Sequence, residues 1–292
     1  MKAATFQHGG VIKAGVVEGD AIAVCASGPA ARTAVRALIE GGETALSEWQ
    51  DLCSNGTERV PLSEAALLAP LPEPRRDLFC IGKNYFAHAA EFHSSGFDSS
   101  SREEVPEAPV VFTKATTAVI GPGTAVRVSL DPTRTVDYEG ELAVVIGRPT
   151  FQVSKAAALG HVFGYTIVND VTSRALQKKH NQWVIGKSLD TFSPMGPYVV
   201  TRDEVGPLEA LRLVTRVNGE VRQDASLADL IFDVPTLIET LSATMTLLPG
   251  DIIATGTPVG VGIGFDPPRY LAAGDTVSIS ITNIGELTNP TV

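Results

Sequence analysis

The sequence predicts an α+β protein in which a small N-terminal domain precedes a larger, strand-rich domain. Short apolar runs separated by glycine and proline turns fill most of the 292 residues, and stretches with helical spacing, such as Val234 to Thr246, are fewer. The segment Ala69 to Arg76, APLPEPRR, holds three prolines and cannot be the interior of a helix. We place the domain boundary there, which divides the chain into residues 1–70 and 71–292.

Within residues 1–70 the pattern predicts a small antiparallel meander followed by two short helices. Each predicted strand is an apolar run that ends near a turn, and the two helical patterns are separated by Gly41-Gly42. The strands are expected at Ala3 to Phe6, Val11 to Val17 and Ala21 to Cys25, and the helices at Thr33 to Ile39 and Glu43 to Leu52. This region is therefore predicted to form a small α+β domain.

The balance of charges limits the partners of the protein. Hydrophobic residues make up 44% of the chain and charged residues 19%, which is typical of a globular protein and not of a disordered one. The formal net charge of -10 repels both nucleic-acid phosphates and anionic lipid. Nucleic acid is therefore not an expected partner, and an anionic substrate would need a local cation to capture it.

Cysteine usage and the absence of long apolar segments predict a cytoplasmic protein. Cys25, Cys53 and Cys80 are odd in number and widely spaced, which indicates neither a disulfide framework nor a zinc site. The first residues lack the apolar core of a signal peptide, and no window approaches 18 unbroken apolar residues. We therefore expect no membrane partner.

The stretch Thr135 to Gly147, TVDYEGELAVVIG, predicts a strand with two acids on one face. Because alternate residues of a strand share a face, Glu139 and Glu141 lie on one side and Leu142 and Val144 on the other. Two like charges this close repel, so both remain ionised only beside a cation or in water. A divalent metal would supply the cation; a solvent-exposed strand end is the alternative.

A second apolar strand, Val162 to Asp170, also ends in an acid. A buried acid at the end of a strand carries a large desolvation cost unless it binds an ion. The residues that follow, Val171 to Lys179, have a helical pattern and carry Arg174 and Gln177. The sequence thus places a third carboxylate and two long polar side chains close together along the chain.

Two glycine-containing stretches complete the candidate site. The segment WVIGKSLD sets Lys187 among apolar and glycine residues, where the alternative is a lysine whose charged head reaches solvent. A short strand at Ile252 to Thr255 runs into GTPVGVG, in which glycines beside Thr257 let the backbone approach a ligand closely. Neither a P-loop lysine nor a G-x-G-x-x-G opening a helix is present, so a nucleotide is not indicated.

His88 and Glu91 are three residues apart, so on a helix they share one face within hydrogen-bonding reach. A carboxylate beside an imidazole fixes its orientation and favours its charged form, as a general base for water requires. The alternative is a surface pair. The polar residues 93–109 that follow indicate a lid of about residues 85–108 that orders over a ligand, or else an ordinary surface loop.

In chain order these stretches together resemble the fumarylacetoacetate hydrolase superfamily, in its acylpyruvase-like branch. The motifs that carry the resemblance span residues 78–285: GKNY with H-x-x-E behind it, E-G-E-L, N-D-V-T-S-R-x-x-Q, GKSLDTFSPMGP, MTLLPGDIIATGTPVGVG and PPRYLAAGD. The resemblance implies that the catalytic domain is a β-rich roll of mixed sheets. It also implies a homodimer, with the active site at one open end of the roll.

The resemblance further implies a role for each candidate residue. Three carboxylates would bind one Mg²⁺ or Mn²⁺ per chain, since these hard cations prefer oxygen ligands. The implied set comprises the metal ligands Glu139, Glu141 and Asp170, the catalytic residues His88, Glu91 and Lys187, and the substrate-binding residues Arg174, Gln177 and Thr257.

The implied substrate is a small anionic 2-oxo acid. The resemblance favours a hydrolase that cleaves a C–C bond of a 2,4-dioxo acid, such as an acylpyruvate or a fumarylacetoacetate-like compound, through a metal-stabilised pyruvate enolate. The same residues suit a decarboxylase of oxaloacetate-like acids, or an isomerase or hydratase of 2-oxo diacids. A non-catalytic relative that binds metal is a more distant alternative. The pair His88 and Glu91 favours hydrolysis, because it can activate water.

Overall fold

Strands dominate the computed structural model, which describes residues 1–96 and 105–292. They are β1 (Lys2–His8), β2 (Val11–Glu18), β3 (Ala21–Ser27), β4 (Arg59–Pro61), β5 (Ala66–Leu67), β6 (Leu78–Gly82), β7 (Val110–Lys114), β8 (Val119–Ile120), β9 (Val136–Asp137), β10 (Gly140–Ile146), β11 (Val162–Asn169), β12 (Thr172–Ser173), β13 (Ser193–Thr201), β14 (Arg212–Val217), β15 (Glu220–Ser226), β16 (Ile252–Ala254), β17 (Thr276–Ile281) and β18 (Gly285–Pro290).

The α-helices are short apart from the first. They are α1 (Ala34–Ser54), α2 (Phe86–Ser94), α3 (Lys155–Ala158), α4 (Arg174–Lys179), α5 (Val184–Lys187), α6 (Arg202–Val205) and α7 (Val234–Ser242). Helix α1 is interrupted at Gly42, whose φ of 59° is left-handed, so the glycine pair separates two helical halves as the sequence predicts. Among the described residues, no helix combines the length and the apolar character needed to cross a membrane.

The strands form one large mixed sheet and a smaller antiparallel one. The large sheet has the order β4-β3-β2-β1-β13-β11-β10-β16-β6-β7, with β5 on β1 and β8 on β13. Its neighbours are antiparallel except for the pairs β16–β6 and β13–β8, which are parallel. The second sheet has the order β15-β14-β17-β18, and β9 and β12 pair with each other separately. This is the mixed α+β architecture that the sequence predicts.

Strand β10 lies near the centre of the large sheet and is buried on both faces. Leu142 and Val144 pack in a core shared with the four-stranded sheet and α7. Ala143 and Val145 face the opposite way, into a second core that includes residues of α1. The alternation predicted for this stretch is therefore confirmed, and both faces hold β10 in place.

The N-terminal strands continue the large sheet. Strand β1 pairs with β13, with Lys2 opposite Val200 and Ala3 opposite Val199. Strands β2, β3 and β4 follow outward in order, and α1 packs on β1, β2 and β3. The predicted meander is confirmed, whereas the domain boundary near residue 70 stays a prediction.

Two local predictions were wrong, for one shared reason. The stretch Thr135 to Gly147 is not a single strand, because β9 and β10 are separate and belong to different sheets. The helix predicted from Val171 to Lys179 begins only at Arg174, because β12 precedes it. The tertiary pairing of β9 with β12 overrides the local pattern at both places.

The predicted lid is described only in part, since residues 97–104 lie outside the described residues.

Candidate metal centre

Three buried carboxylates meet where β10 begins and β11 ends. Glu139 and Glu141 flank Gly140, and Asp170 follows β11 directly. Gly140 is paired with Asn169, and the Asp170 amide donates to the Glu139 carbonyl at 2.8 Å. The carboxylate residues are at most 4% exposed, and one oxygen from each lies within 4.8 Å of the others. This acidic cluster brings together the three predicted metal ligands.

Close packing explains the glycine between the two glutamates. A Cβ on Gly140 would lie 2.3 Å from Thr215 Oγ1 of β14. The Gly140 amide donates to Gln223 Oε1 at 3.0 Å, and the Glu139 amide donates to Asn169 Oδ1 at 3.0 Å. The backbone between the glutamates is therefore fixed from both sides, which limits the positions their carboxylates can take.

Three buried cations of the described chain contact the acidic cluster. Lys187 Nζ lies 2.7 Å from Glu139 Oε2 and 2.8 Å from Asp170 Oδ2. Arg174 Nη1 lies 2.6 Å from Glu139 Oε1. Lys114 Nζ lies 2.7 Å from Asp170 Oδ1, as an ion pair without hydrogen-bond alignment. Because each cation is at most 1% exposed, these pairs compensate charges that burial would otherwise make very costly.

The buried cations compensate the charge of Glu139 more than that of Glu141. Burial acts to raise the pKa of Glu139, but Lys187 and Arg174 outweigh it and lower that pKa to about 2. Burial raises the pKa of Glu141 well above its usual value, and the charges of Asp170 and Glu139 raise it further. The cluster therefore holds one carboxylate that is strongly stabilised as an anion and one that is not.

The donor set fits a hard divalent cation. Glu141 Oε2 accepts a hydrogen bond from the Gly256 amide at 2.9 Å, while the three buried cations contact the other two carboxylates. A cation among the three carboxylates would relieve their mutual repulsion. Three carboxylate oxygens are also ligands that Mg²⁺ and Mn²⁺ prefer over sulfur or nitrogen. The acidic cluster can therefore hold such a metal.

The predicted dyad of His88 and Glu91 lies on α2 and is oriented by a glycine-rich loop. His88 Nδ1 is 3.0 Å from Glu91 Oε2, and Glu91 Oε1 accepts from the Gly260 amide at 3.0 Å. A Cβ on Gly264 would lie 1.9 Å from Glu91 Oε1. The loop at residues 256–264 thus leaves room for the glutamate, which in turn fixes the His88 ring.

One cavity unites the acidic cluster and the dyad. All nine predicted site residues line it except Glu91 and Asp170. Each of these two contacts a side chain that does line it, since Glu91 pairs with His88 and Asp170 with Lys187. The structure therefore brings the nine residues into a single site.

An aromatic wall borders the same cavity. Phe92 and Phe112 both pack edge-on against Trp183, with ring centroids 5.9 and 5.1 Å away. A Cβ on Gly82 would lie 2.4 Å from the Trp183 ring, so β6 passes close beneath the indole only because it carries a glycine there. The wall limits the room for a bulky substrate and lowers the local polarity.

Arg174 is a predicted substrate contact with unused hydrogen-bonding capacity. Its Nε donates to Asp137 at 2.8 Å and its Nη1 to Gln177 Oε1 at 3.3 Å. Its Nη2 is buried and has no hydrogen-bond partner among the described residues. Burial of an unpartnered guanidinium nitrogen is costly, which suits a donor reserved for a ligand.

The Thr257 hydroxyl has less hydrogen-bonding capacity left for a ligand than Arg174 has. Its hydroxyl donates to the Gly140 carbonyl at 3.0 Å and accepts from Gln223 Nε2 at 2.7 Å. Because the hydroxyl proton is used within the protein, Thr257 can offer a ligand only an acceptor.

Asp137 is a buried acid that sequence reasoning did not single out. It is 0% exposed and accepts from the amides of Gly262 and Ile263 at 2.6 and 3.0 Å as well as from Arg174 Nε. It therefore joins the glycine-rich loop to the arginine that contacts the acidic cluster. The sequence feature that could have indicated Asp137 is the alternation of acids at positions 137, 139 and 141.

Lys114 was also missed. Its Nζ donates to the Val171 carbonyl at 2.9 Å and to the Lys187 carbonyl, besides pairing with Asp170. The sequence offered only a weak signal, a single lysine at the end of the otherwise mostly apolar strand β7.

The sequence matches known protein families along most of its length. Residues 77–292 match the family described as fumarylacetoacetate (FAA) hydrolase C-terminal, and residues 1–70 match Rv2993c-like, N-terminal. Over 246 residues the chain is 51% identical to oxaloacetate tautomerase YisK of Bacillus subtilis (strain 168). The aligned region covers 84% of this chain and 79% of that protein.

Solved structures share the fold over the whole chain. A fumarylacetoacetate hydrolase from psychrophilic Exiguobacterium antarcticum is 38% identical with a TM-score of 0.84, covering 100% of this chain and 99% of that one. The maleylpyruvate hydrolase of Sphingobium sp. SYK-6, solved with manganese(II) and pyruvate, is 32% identical with a TM-score of 0.79 and the same coverage. The predicted β-rich catalytic fold with a small N-terminal domain is confirmed.

Proposed function

Because this chain belongs to the fumarylacetoacetate hydrolase family, we propose that it catalyses metal-dependent keto–enol interconversion of a short 2-oxo diacid of the oxaloacetate type. The observation that carries the choice of reaction is the 51% identity with an oxaloacetate tautomerase over 84% of the chain. The site supports the choice, because its cavity combines the acidic cluster with an ammonium group and an oriented imidazole.

Substrate binding would begin at the acidic cluster. When bound at Glu139, Glu141 and Asp170, Mg²⁺ or Mn²⁺ supplies Lewis-acid polarisation of the 2-oxo group. Arg174 turns its buried Nη2 donor to the substrate carboxylate, and Gln177 beside it offers a further donor. These contacts fix the plane of the 2-oxo acid and hold C3 within the cavity.

Tautomerisation moves one proton between C3 and the oxygen on C2. Glu91 engages His88 Nδ1, which leaves Nε2 as the ring nitrogen that takes the proton from C3. Lys187 lines the same cavity and donates a proton to the C2 oxygen as negative charge develops there. In the reverse direction His88 gives the proton to C3 and Lys187 takes one from the enol oxygen. A turnover in either direction leaves His88 and Lys187 with exchanged protonation states, and proton exchange with solvent water restores both.

Hydrolysis of an acylpyruvate is the second candidate, and the dyad is the observation that favours it. An imidazole held by a partly buried carboxylate can deprotonate water as readily as carbon. In that reaction water attacks the 4-oxo carbon and the C3–C4 bond breaks, with Lys187 stabilising the same developing charge. Decarboxylation of oxaloacetate would use that stabilisation without the attacking water.

Parallel assays test the proposal. Purified protein with Mg²⁺ or Mn²⁺ is given enol-oxaloacetate, and loss of the enol is followed by ultraviolet absorbance. Acetylpyruvate and maleylpyruvate cleavage and carbon dioxide release are measured on the same preparation. We expect enol loss to be accelerated well beyond that with metal alone, and to be much faster than any cleavage.

The Lys187→Met variant serves as the matched control for protein-bound metal without the active-site ammonium. Rapid cleavage of an acylpyruvate with no acceleration of enol loss would contradict the tautomerase proposal and favour the hydrolase.

Five expectations remain predictions from the sequence. They are the preferred metal, one cation per chain, a homodimer, a cytoplasmic location and the lack of a nucleic-acid partner.

A further inference from the structure

Strand β15 buries a glutamine at a position where an apolar residue is expected. The strand is the outermost one of the four-stranded sheet, and Gln223 is its only buried residue, with 0% exposure. A buried amide costs free energy unless its donors and its acceptor are hydrogen-bonded. The residue therefore contributes something other than apolar packing.

A β-bulge sets the direction of the glutamine side chain. Gln223 is paired with Thr215 of β14, and the next pair along the two strands joins Val221 to Arg216. The intervening Arg222 is therefore an extra residue of β15. Bulges beside active sites commonly re-aim a neighbouring side chain.

Gln223, Gly140 and Thr257 form a closed ring of hydrogen bonds. The Gly140 amide donates to Gln223 Oε1 at 3.0 Å, and Gln223 Nε2 donates to Thr257 Oγ1 at 2.7 Å. The Thr257 hydroxyl closes the ring by donating to the Gly140 carbonyl at 3.0 Å. Gln223 Nε2 also donates to the Pro258 carbonyl at 2.8 Å. Both donors and the acceptor of the buried amide are thus engaged, which compensates the cost of burying it.

The ring connects the acidic cluster to the glycine-rich loop. Gly140 lies between the two glutamates of the cluster, and both its amide and its carbonyl belong to the ring. Thr257 belongs to the loop and lines the cavity. The backbone that carries two of the three acids is therefore held at a fixed distance from a residue of the loop.

The same segment of β15 supports the loop at a second point. A Cβ on Gly260 would lie 2.0 Å from the Arg222 carbonyl oxygen, so the loop packs directly on the bulge. The Gly260 amide in turn donates to Glu91 of the dyad at 3.0 Å. Residues 222 and 223 together therefore hold the loop both where it faces the cavity and where it orients the dyad.

We infer that Gln223 is a positioning residue, which holds the two glutamates of the acidic cluster and Thr257 at the spacing that a metal-bound 2-oxo acid requires. The inference rests on the proposed function for the binding of metal and substrate at the cluster. Gln223 acts through the Gly140 peptide and the Thr257 hydroxyl, so its loss shifts groups that bind the ligand without removing any of them.

Gln223→Met tests the inference, because it keeps the length of the side chain and removes both amide donors and the oxygen acceptor. Mn²⁺ binding is measured by electron paramagnetic resonance, and oxalate serves as an unreactive ligand that can chelate the metal as a 2-oxo acid does. We expect Mn²⁺ binding to weaken about 10- to 100-fold, as for other groups that orient metal ligands from outside. Oxalate binding at saturating Mn²⁺ should weaken about 3- to 10-fold, as for the loss of one neutral hydrogen bond.

Two substitutions of Thr257 open the ring from its other side. Thr257→Val removes the hydroxyl and should weaken Mn²⁺ binding, whereas Thr257→Ser keeps the hydroxyl and should bind Mn²⁺ within about 2-fold of the wild type. Because the ring acts as a unit, Thr257→Val combined with Gln223→Met should weaken Mn²⁺ binding by less than the product of the two single effects.

Leu213→Ala controls for general destabilisation of the four-stranded sheet. Leu213 is 0% exposed on β14 and packs in the apolar core, so its substitution should lower the thermal midpoint but leave Mn²⁺ binding by the folded protein unchanged. Equal loss of Mn²⁺ affinity in Leu213→Ala and Gln223→Met would overturn the inference. So would unchanged Mn²⁺ and oxalate binding in Gln223→Met. If Gln223→Met does not fold, wild-type Mn²⁺ affinity in Thr257→Val overturns it instead.

The same data distinguish this inference from the proposed reaction. Wild-type protein that binds Mn²⁺ and oxalate without accelerating enol loss, together with weakened binding in Gln223→Met, would support the role of Gln223 and refute the tautomerase. Accelerated enol loss by the wild type, together with undiminished Mn²⁺ and oxalate binding in Gln223→Met, would refute the role of Gln223 alone.

Discussion

The acidic cluster and the His88–Glu91 dyad face one cavity but are supported very differently. The cluster lies between paired strands of the central sheet, and buried lysine and arginine side chains contact two of its three acids. The dyad sits on the nine-residue helix α2, whose N-cap residue Tyr85 makes no side-chain capping bond. Its glutamate is held to the rest of the site through the Gly260 amide.

In the proposed function, this difference gives the two parts separate roles. Metal binding would depend on groups that the core fixes before any ligand arrives, as suits an oxygen-ligand site. Proton transfer would depend on one side chain of a helix that packs on the glycine-rich loop. Substitutions should therefore remove one function and leave the other, unless they strike the residue that joins the two parts.

The largest effect is expected from Glu141→Gln in the acidic cluster. The amide keeps the size of the side chain but removes a ligand charge, so Mn²⁺ binding and activity should both fall to the limit of detection. The metal-free variant should be no less stable than the metal-free wild type, because burial and the neighbouring acids already disfavour a charged side chain at position 141. Mn²⁺ titration by electron paramagnetic resonance, turnover and thermal unfolding measure these outcomes.

Glu239→Gln is a matched control, since Glu239 is exposed on α7. It should leave Mn²⁺ binding unchanged. Full turnover of Glu141→Gln in excess chelator would show that the reaction does not use the cluster as a metal site.

A smaller and more selective loss is expected from His88→Ala on α2. Turnover should fall about 10²- to 10⁴-fold, the usual contribution of a general acid–base group, while the Mn²⁺ dissociation constant stays within about 2-fold. His93→Ala tests the same substitution on the same helix, where His93 is exposed, and should retain turnover. Loss of Mn²⁺ binding in His88→Ala would mean that the two parts of the site are not separable.

The sequence predicts the functional groups of both parts, but it leaves the segment that follows the dyad untested. The acids at 139 and 141 were recognisable from strand alternation, and Asp170 from its place at the end of an apolar strand. The spacing of His88 and Glu91 was equally readable, but the residues that follow include the undescribed 97–104, so the lid stays a prediction. Sequence patterns thus indicated functional side chains that are close in sequence or that share one face of a strand or helix.

What the sequence did not predict are contacts between residues far apart along the chain. Lys114 contacts Asp170, and Asp137 contacts Arg174, through pairings that exist only once β7, β9 and α4 are assembled. The separation of β9 from β10 has the same origin, because the apolar pattern continues across it. Secondary-structure propensity reflects only residues that are near in sequence, so it does not predict a strand pairing with a remote segment.

Asp137 is the residue that joins the two parts, and Asp137→Asn gives the smallest of the three catalytic effects. Its carboxylate accepts from Arg174, which contacts the acidic cluster, and from the Gly262 and Ile263 amides of the loop that orients Glu91. An amide offers one acceptor oxygen in place of two. Turnover should fall about 10- to 100-fold, as for other residues that position a metal site.

The free energy of unfolding should fall in the same variant, by at most about 3–5 kcal/mol, because the buried Arg174 loses one of its two charge partners and keeps Glu139. Urea unfolding measures that loss, and turnover is compared at a temperature at which both proteins are folded. Asp20→Asn, at an exposed turn, controls for the substitution itself. If stability falls but turnover of the folded variant does not, Asp137 supports only the fold, and the acidic cluster and the dyad act without a shared positioning residue.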